Sequence, residues 1–218
     1  MVASPPASST RRPSTSPGRA TPPVSALPGI NPGVLSSVYV ITGPSGVGKG
    51  TLIRALRGQI PNLELSTSAT TRAPRAGEEP GVDYHFLDPD EFERRVEAGD
   101  FLEHATYSGN RYGTLRSEVD ARLARDVPVV LEIEVQGARQ IRESMPEAVQ
   151  IFIAPPSPEA LRERLHGRGT DHPEVIDSRL GVAVEELAAR GEFPHSIVND
   201  DVDRAAAELA EIVRDCER

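Results

Sequence analysis

From Val38 to Thr42 the chain is continuously apolar or β-branched, and from Lys49 onward Leu52, Ile53 and Leu56 recur on one helical face. The first pattern predicts a buried strand and the second a helix over Lys49–Arg57, joined by GPSGVGKG. Leu63–Ser66 fits a second strand. Ser66 to Phe86 then breaks into alternating polar residues with two prolines and two glycines, which predicts short antiparallel strands and turns. Asp88-Pro89-Asp90-Glu91 reads as a helix start: a cap, a proline at the first helical position and a glutamate reaching back. That helix runs to Ala98 and stops at Gly99. Phe101–Tyr107 predicts a strand, and Gly109–Gly113 a turn back into sheet.

Further on, Val129–Glu134 alternates as a strand, Gln136–Met145 reads as a helix, and Val149–Ile153 is the short apolar run of a central parallel strand. This repeats the strand–helix alternation of the opening and predicts an α/β core with a parallel sheet flanked by helices. Pro158–His166 is a capped helix followed by the glycine-flanked GRGTDHPE. A short strand in SIVNDD and a helix over Val202–Arg218 close the chain.

Residues 1–33 are rich in Pro, Ser, Ala and Gly without apolar periodicity, and so are expected to form a disordered tail. No apolar run is long enough for a signal peptide or for a span of about 18 residues, which argues against secretion and membrane insertion. The 218-residue chain has a net charge of −9. Its tail carries three arginines and no acid, so the remainder holds 21 basic against 33 acidic residues, near −12. An acidic surface does not coat nucleic acid, so any phosphate site must be local. Cys216 is the single cysteine, which fits a reducing cytoplasm, and His85, His104, His166, His172 and His195 lack metal-ligand spacing.

The connection between the first strand and helix carries the strongest chemical signal. A glycine-rich loop that runs into a helix N-terminus presents backbone N–H groups and the positive end of the helix dipole to one small volume, which suits a phosphate chain. Lys49 is the only lysine; the other 23 basic residues are arginine. One compact ammonium kept at this position fits a charge between two phosphates. Gly50 stands where a hydroxyl would ordinarily reach Mg²⁺, and Thr51 comes one residue late.

Other candidates admit two readings each. Arg72 and Arg75, held around Pro74 beside Tyr84, form either a second phosphate clamp or a solvated loop. Glu103 could accept two parallel hydrogen bonds from the ring N–H and amine of guanine, a pair adenine cannot offer. Thr114, near Tyr112, has the bland alternative of capping the next helix. Glu132 and Glu134, two apart on one strand face, suit Mg²⁺ directly or through water, or are ordinary edge solvation. Arg164, Arg168 and Arg179 flank the hinge glycines Gly167 and Gly169, and are either mobile cations for a transferring phosphoryl group or surface charge.

In order, GPSGVGKGT, SxSxTTRxPRxGExxGxDYxF, FxExAxYxGNxYGT, LEIEVQG, RLxGRGTD and VND resemble guanylate kinase, from about Leu35 to the C-terminus. The resemblance implies a P-loop kinase core over 34–66 and 118–218 with a lid at about 155–178. It also implies an inserted mixed α+β GMP-binding domain over 67–117. The activity implied is transfer of the γ-phosphoryl of Mg·ATP to GMP, and to dGMP with it. Gly43, Pro44, Ser45, Gly46, Val47, Gly48, Lys49, Gly50, Thr51 and Asn199 would then hold ATP. Ser68, Glu103 and Thr114 would meet the guanine, Arg72, Arg75, Tyr84 and Tyr112 the GMP phosphate, and Glu132 and Glu134 would stand beside them. Lys49, Arg72, Arg75, Arg164, Arg168 and Arg179 would serve catalysis. The metal ligands and the choice between monomer and homodimer stay open at this point. A guanylate-kinase-like scaffold without catalysis would lack a working phosphate loop, whereas Gly43, Gly48 and Lys49 are all present.

Overall fold

The computed structural model describes residues 38–107, 109–166 and 173–216, with only the backbone of 173–179. The expected tail over 1–33, Gly167, Gly169, Arg168 and the side chain of Arg179 lie outside the described residues.

Five strands form one parallel sheet: β1 (Val38–Thr42), β2 (Glu64–Leu65), β7 (Val129–Glu132), β8 (Val149–Ala154) and β9 (His195–Val198), in the order β2-β7-β1-β8-β9. β1 lies at the centre and all five of its residues are buried, which is why it reads as an unbroken apolar run. Ile41 pairs with Glu132 on one side and Ile151 on the other. Alternate residues serve opposite layers. Tyr39, Ile41, Ile151 and Ile153 pack with Leu52, Leu56, Leu209 and Val213 of α1 (Lys49–Gln59) and α7 (Val202–Cys216). Val40, Leu131 and Phe152 pack with Ala138 and Ile141 of α4 (Val135–Ser144) and Val119 of α3 (Arg116–Leu123). This is the expected parallel sheet between two helical layers. The carboxyl ends of β1, β7 and β9 all emerge on one edge, where the strand order switches direction and open α/β sheets take ligands.

A second sheet has the order β4-β3-β6-β5, from β4 (His85–Phe86), β3 (Ala69–Thr70), β6 (Asn110–Leu115) and β5 (Phe101–Tyr107). It carries its own small core of Ala69, Phe92, Phe101 and Leu115, with Phe92 of α2 (Pro89–Ala98) stacked on Phe101 at 4.5 Å. α5 (Pro158–His166) and α6 (Pro173–Ala188) complete the chain before β9. Among the described residues, no helix is long and apolar enough to cross a membrane.

Three expectations change. β3 pairs with β6 antiparallel but with β4 in parallel, because the loop between them carries the chain back across the sheet before it pairs. Asp88 caps α2 through the Glu91 N–H at 2.7 Å, but the Glu91 carboxylate does not reach back; it takes bonds from Arg94 and Arg95 at 2.6 Å. Two guanidinium partners outcompete one backbone N–H. β7 ends at Glu132, so Glu134 is not on the strand. It is the residue that enters α4.

Candidate active site

The loop after β1 is shaped by close backbone approach. At Gly43 (φ 139°) a Cβ would stand 2.2 Å from the Ile153 carbonyl oxygen, and at Gly48 (φ 97°) one would stand 2.7 Å from Asn199 Nδ2. No side chain fits either place. Lys49 is 7% exposed, and its ammonium donates to the Gly43 carbonyl at 2.5 Å and Pro44 at 3.4 Å and lies 3.7 Å from Glu134 Oε1. It is therefore held over the loop it follows. Val47, fully buried, offers its carbonyl to Asn199 Nδ2 at 2.8 Å and to Arg164 at 3.1 Å, while the second arm of Arg164 reaches the Asn199 carbonyl at 2.8 Å. Asn199 and Arg164 thus brace the loop from β9 and α5.

Glu186 of α6 joins the site without being among the residues the motifs mark. It sits 9% exposed beside the same loop, accepts from the Ser45 N–H, and is pushed up to about 8 by burial and by the Glu134 carboxylate. Oε2 of Glu134 and of Glu186 are both buried without a hydrogen-bond partner, the condition of two acids that need a proton or a cation nearby. Nothing in the pattern marks Glu186, because by spacing Arg179 and Val182 share its side of the helix and only the structure shows that Ala183 and Glu186 are buried there.

On the second sheet, Glu103 of β5 stands opposite Thr114 of β6. The Thr114 hydroxyl donates to Glu103 Oε1 at 2.7 Å, and the carboxyl is 5% exposed. Burial pushes it up to about 7 against the pull of that bond. Thr114 therefore serves the carboxylate rather than a helix cap.

Tyr112 and Tyr84 meet edge to face at 6.1 Å, and the Arg72 guanidinium lies 5.3 Å from the Tyr84 ring centre. Arg72 is also gripped in a two-pronged pair with Glu78, both bonds 2.9 Å, which raises the guanidinium pKa further. Glu78 accepts from the Arg75 N–H at 2.7 Å as well. So an acid absent from the expected set fixes the arginine loop, while the Arg75 side chain stays exposed. Ser68 is half-buried at the entry to β3, its carbonyl taking the His85 N–H at 2.9 Å.

Glu132 links the two groups. Its carboxylate oxygens lie 3.6 and 3.7 Å from where a Gly50 Cβ would be, and its charge also raises the Tyr84 phenol, whose first cause is burial. A glycine after the lysine leaves room for this acid. Thr51 faces solvent, accepting from Arg54 at 3.4 Å. Among the described residues no three His, Cys, Asp or Glu cluster as a metal cage. A dication would fit here with phosphate oxygens and water as most of its shell, Glu132 beside the loop and the unpartnered Glu134 Oε2 nearby.

A glycine-shaped loop with a buried lysine thus stands in one chain with a sheet that carries a buried acid–hydroxyl pair and a clamped arginine. A guanylate kinase family model matches residues 36–216. The chain belongs to the guanylate kinase family. It is 54% identical to a guanylate kinase of a Synechococcus species over 177 residues, covering 81% of this chain and 93% of that one. Against the guanylate kinase of Mycobacterium bovis the identity is 50% over 184 residues, with coverage of 84% and 88%. The crystal structure of guanylate kinase from Anaplasma phagocytophilum superimposes with a TM-score of 0.69 at 34% identity, covering 84% of this chain and 87% of that one. In this guanylate kinase family member, Glu78, Gly137, Gln140 and Glu186 adjoin the site beyond the residues expected from the motifs.

Proposed function

We propose that the chain transfers the γ-phosphoryl group of ATP to GMP, and to dGMP with it, yielding ADP and GDP. One observation carries this reading: a buried Glu103 carboxyl tied to Thr114 on one side of the site and a single lysine on a phosphate loop on the other. A carboxylate with one oxygen fixed by Thr114 offers two acceptors to the N1–H and 2-amine of guanine. Adenine has no proton at N1 and cannot satisfy both. Ser68 completes the base site. Arg72, set by Glu78, with Arg75, Tyr84 and Tyr112 receives the GMP phosphate.

Gly43 to Thr51 hold the ATP phosphates, and Asn199 lies on the adenine side. A GMP α-phosphate oxygen attacks the γ-phosphorus in line. The bond to the bridging oxygen breaks, and ADP leaves with that oxygen. Phosphate is already a good nucleophile, so alignment and positive charge do the catalysis. On substrate arrival the Lys49 ammonium exchanges the Gly43 and Pro44 carbonyls for phosphate oxygens. Arg164 adds positive charge from α5, and Arg168 and Arg179 are assigned the same role on the family resemblance alone. Mg²⁺, when bound, neutralises the phosphate oxygens, with Glu132, Glu134 and Thr51 the residues that would hold it, in part through water. The second sheet and α2 act as the nucleoside unit, 67–117, against the core over 34–66 and 118–218, with the lid at about 155–178. The reaction belongs in the cytoplasm, consistent with the single cysteine.

ADP release coupled to NADH oxidation, run with Mg·ATP and GMP, AMP, CMP, UMP or no acceptor, tests this. Turnover with GMP alone is expected. Silence in every well, from folded protein, contradicts the enzyme and favours a binding scaffold.

A further inference from the structure

We propose that one face of α4, made by Gly137, Gln140 and Ser144, fixes where the Glu103 carboxylate stands and so sets how selectively the chain takes guanine over adenine; this rests on the assignment of Glu103 to the base. The three residues are spaced three and four apart and share one helical face. β5 is the end strand of its sheet, bonded on one side to β6. The side chains of α4 take the backbone groups around Glu103. Ser144 Oγ donates to the Leu102 carbonyl at 3.2 Å. The Gln140 amide accepts the His104 N–H at 3.1 Å through Oε1 and donates to the His104 carbonyl at 2.8 Å through Nε2. One side chain thereby satisfies both backbone groups of a residue, as a neighbouring strand would.

Glu103 is the residue between these two anchors, and its side chain runs onto α4 itself. A Cβ on Gly137 would lie 2.5 Å from Glu103 Oε2 and 3.0 Å from its Cδ. The carboxylate is therefore bounded by Thr114 at Oε1 and by the bare backbone of Gly137 at Oε2. Two parallel hydrogen bonds to a planar base edge tolerate little displacement, whereas AMP makes no such pair and loses little when the acid moves. α4 also belongs to the layer under the parallel sheet, so the same helix joins the base site to the core.

The test measures kcat and KM for GMP and AMP, KM for ATP and thermal midpoint in the full-length chain carrying Gln140→Ala, Gln140→Glu or Gly137→Ala. Gln140→Ala is expected to raise KM for GMP about tenfold and to lower the GMP-over-AMP preference equally, with KM for ATP within about twofold. Gly137→Ala should do more, about a hundredfold, because the carboxylate itself must move. Gln140→Glu, which keeps the bond from the His104 N–H, should fall between wild type and alanine.

Wild-type preference in both alanine variants overturns the proposal. So does a joint rise of both KM values with a lowered midpoint and unchanged preference, which marks a merely structural helix. Glu103→Gln separates the two assignments. Undiminished GMP preference in that variant overturns the base assignment beneath the proposal. Lost preference there, beside wild-type preference in the α4 variants, overturns the role of α4 alone.

Discussion

On the proposed assignment, the phosphate loop offers its ligand a backbone, whereas the base site is made of side chains gathered from several elements. At the loop, Gly43 and Gly48 exclude side chains by contact with Ile153 and Asn199, and Lys49 follows directly in sequence. At the base site, Glu103 comes from β5, Thr114 from β6, and the bare surface beside them from Gly137 of α4. The backbone donors of the loop do not titrate, although Glu186 beside them is raised to about 8, whereas at the base site the contacting group is itself a buried carboxyl. On the proposed assignment, the ATP half is fixed by local backbone geometry, while selectivity for the acceptor depends on a titratable carboxyl held by Thr114 and α4.

The comparison breaks hardest at Lys49. Lys49→Met should lower kcat by more than about a thousandfold, because the proposed reaction places its charge on the transferring group, yet leave GMP affinity at the wild-type value. Steady-state turnover with calorimetric GMP binding checks both halves. Near-normal turnover would remove Lys49 from the mechanism.

Glu103→Gln is next in size. It should lower kcat/KM for GMP about a hundredfold while KM for ATP holds, since the amide replaces one acceptor by a donor. The same change should stabilise the unliganded protein by about 1–2 kcal/mol at neutral pH, because a buried neutral amide carries no charge to desolvate. Thermal melts report the second effect, and an unchanged or lower midpoint would count against the burial argument.

Gly48→Ala sharpens the other side. Its left-handed φ and the Asn199 contact should cost about 1–3 kcal/mol of stability and raise KM for ATP about tenfold, with GMP affinity unchanged. Equal damage to GMP affinity would show that the halves are not separable.

The smallest effect is a pH dependence. The Glu103 carboxyl is raised in the folded state to about 7 from an ordinary 4.5. A raised acid contributes stability below its unfolded value and loses it as pH climbs through its folded value. Wild type should therefore lose stability relative to Glu103→Gln between pH 4.5 and 7, and the difference should level off above that. Parallel melts at pH 5, 6, 7 and 8 would expose a flat difference, which the burial argument forbids.

How much was legible follows the same division. β1 falls on Val38–Thr42 and α1 starts at Lys49 as the pattern predicts, because strand, loop and helix are contiguous and each signal is local. The parallel β3–β4 pairing is not legible because nothing in alternating polar residues fixes the direction in which a long loop returns. Alternation continues past Glu132 and so predicts Glu134 on the strand, whereas the ladder stops and α4 begins. Glu78 was invisible as a clamp because its partner Arg72 is known only once the turn closes. Gln140 and Ser144 lie on a polar helix face, and polarity alone does not separate a solvated face from one that bonds an edge strand.

The most direct measurement is calorimetric titration of GMP into Lys49→Met and Glu103→Gln side by side, with both proteins shown to be folded. Division of labour predicts wild-type GMP affinity in Lys49→Met and a loss of about a hundredfold in Glu103→Gln. GMP binding lost in Lys49→Met, or retained in Glu103→Gln, would contradict it.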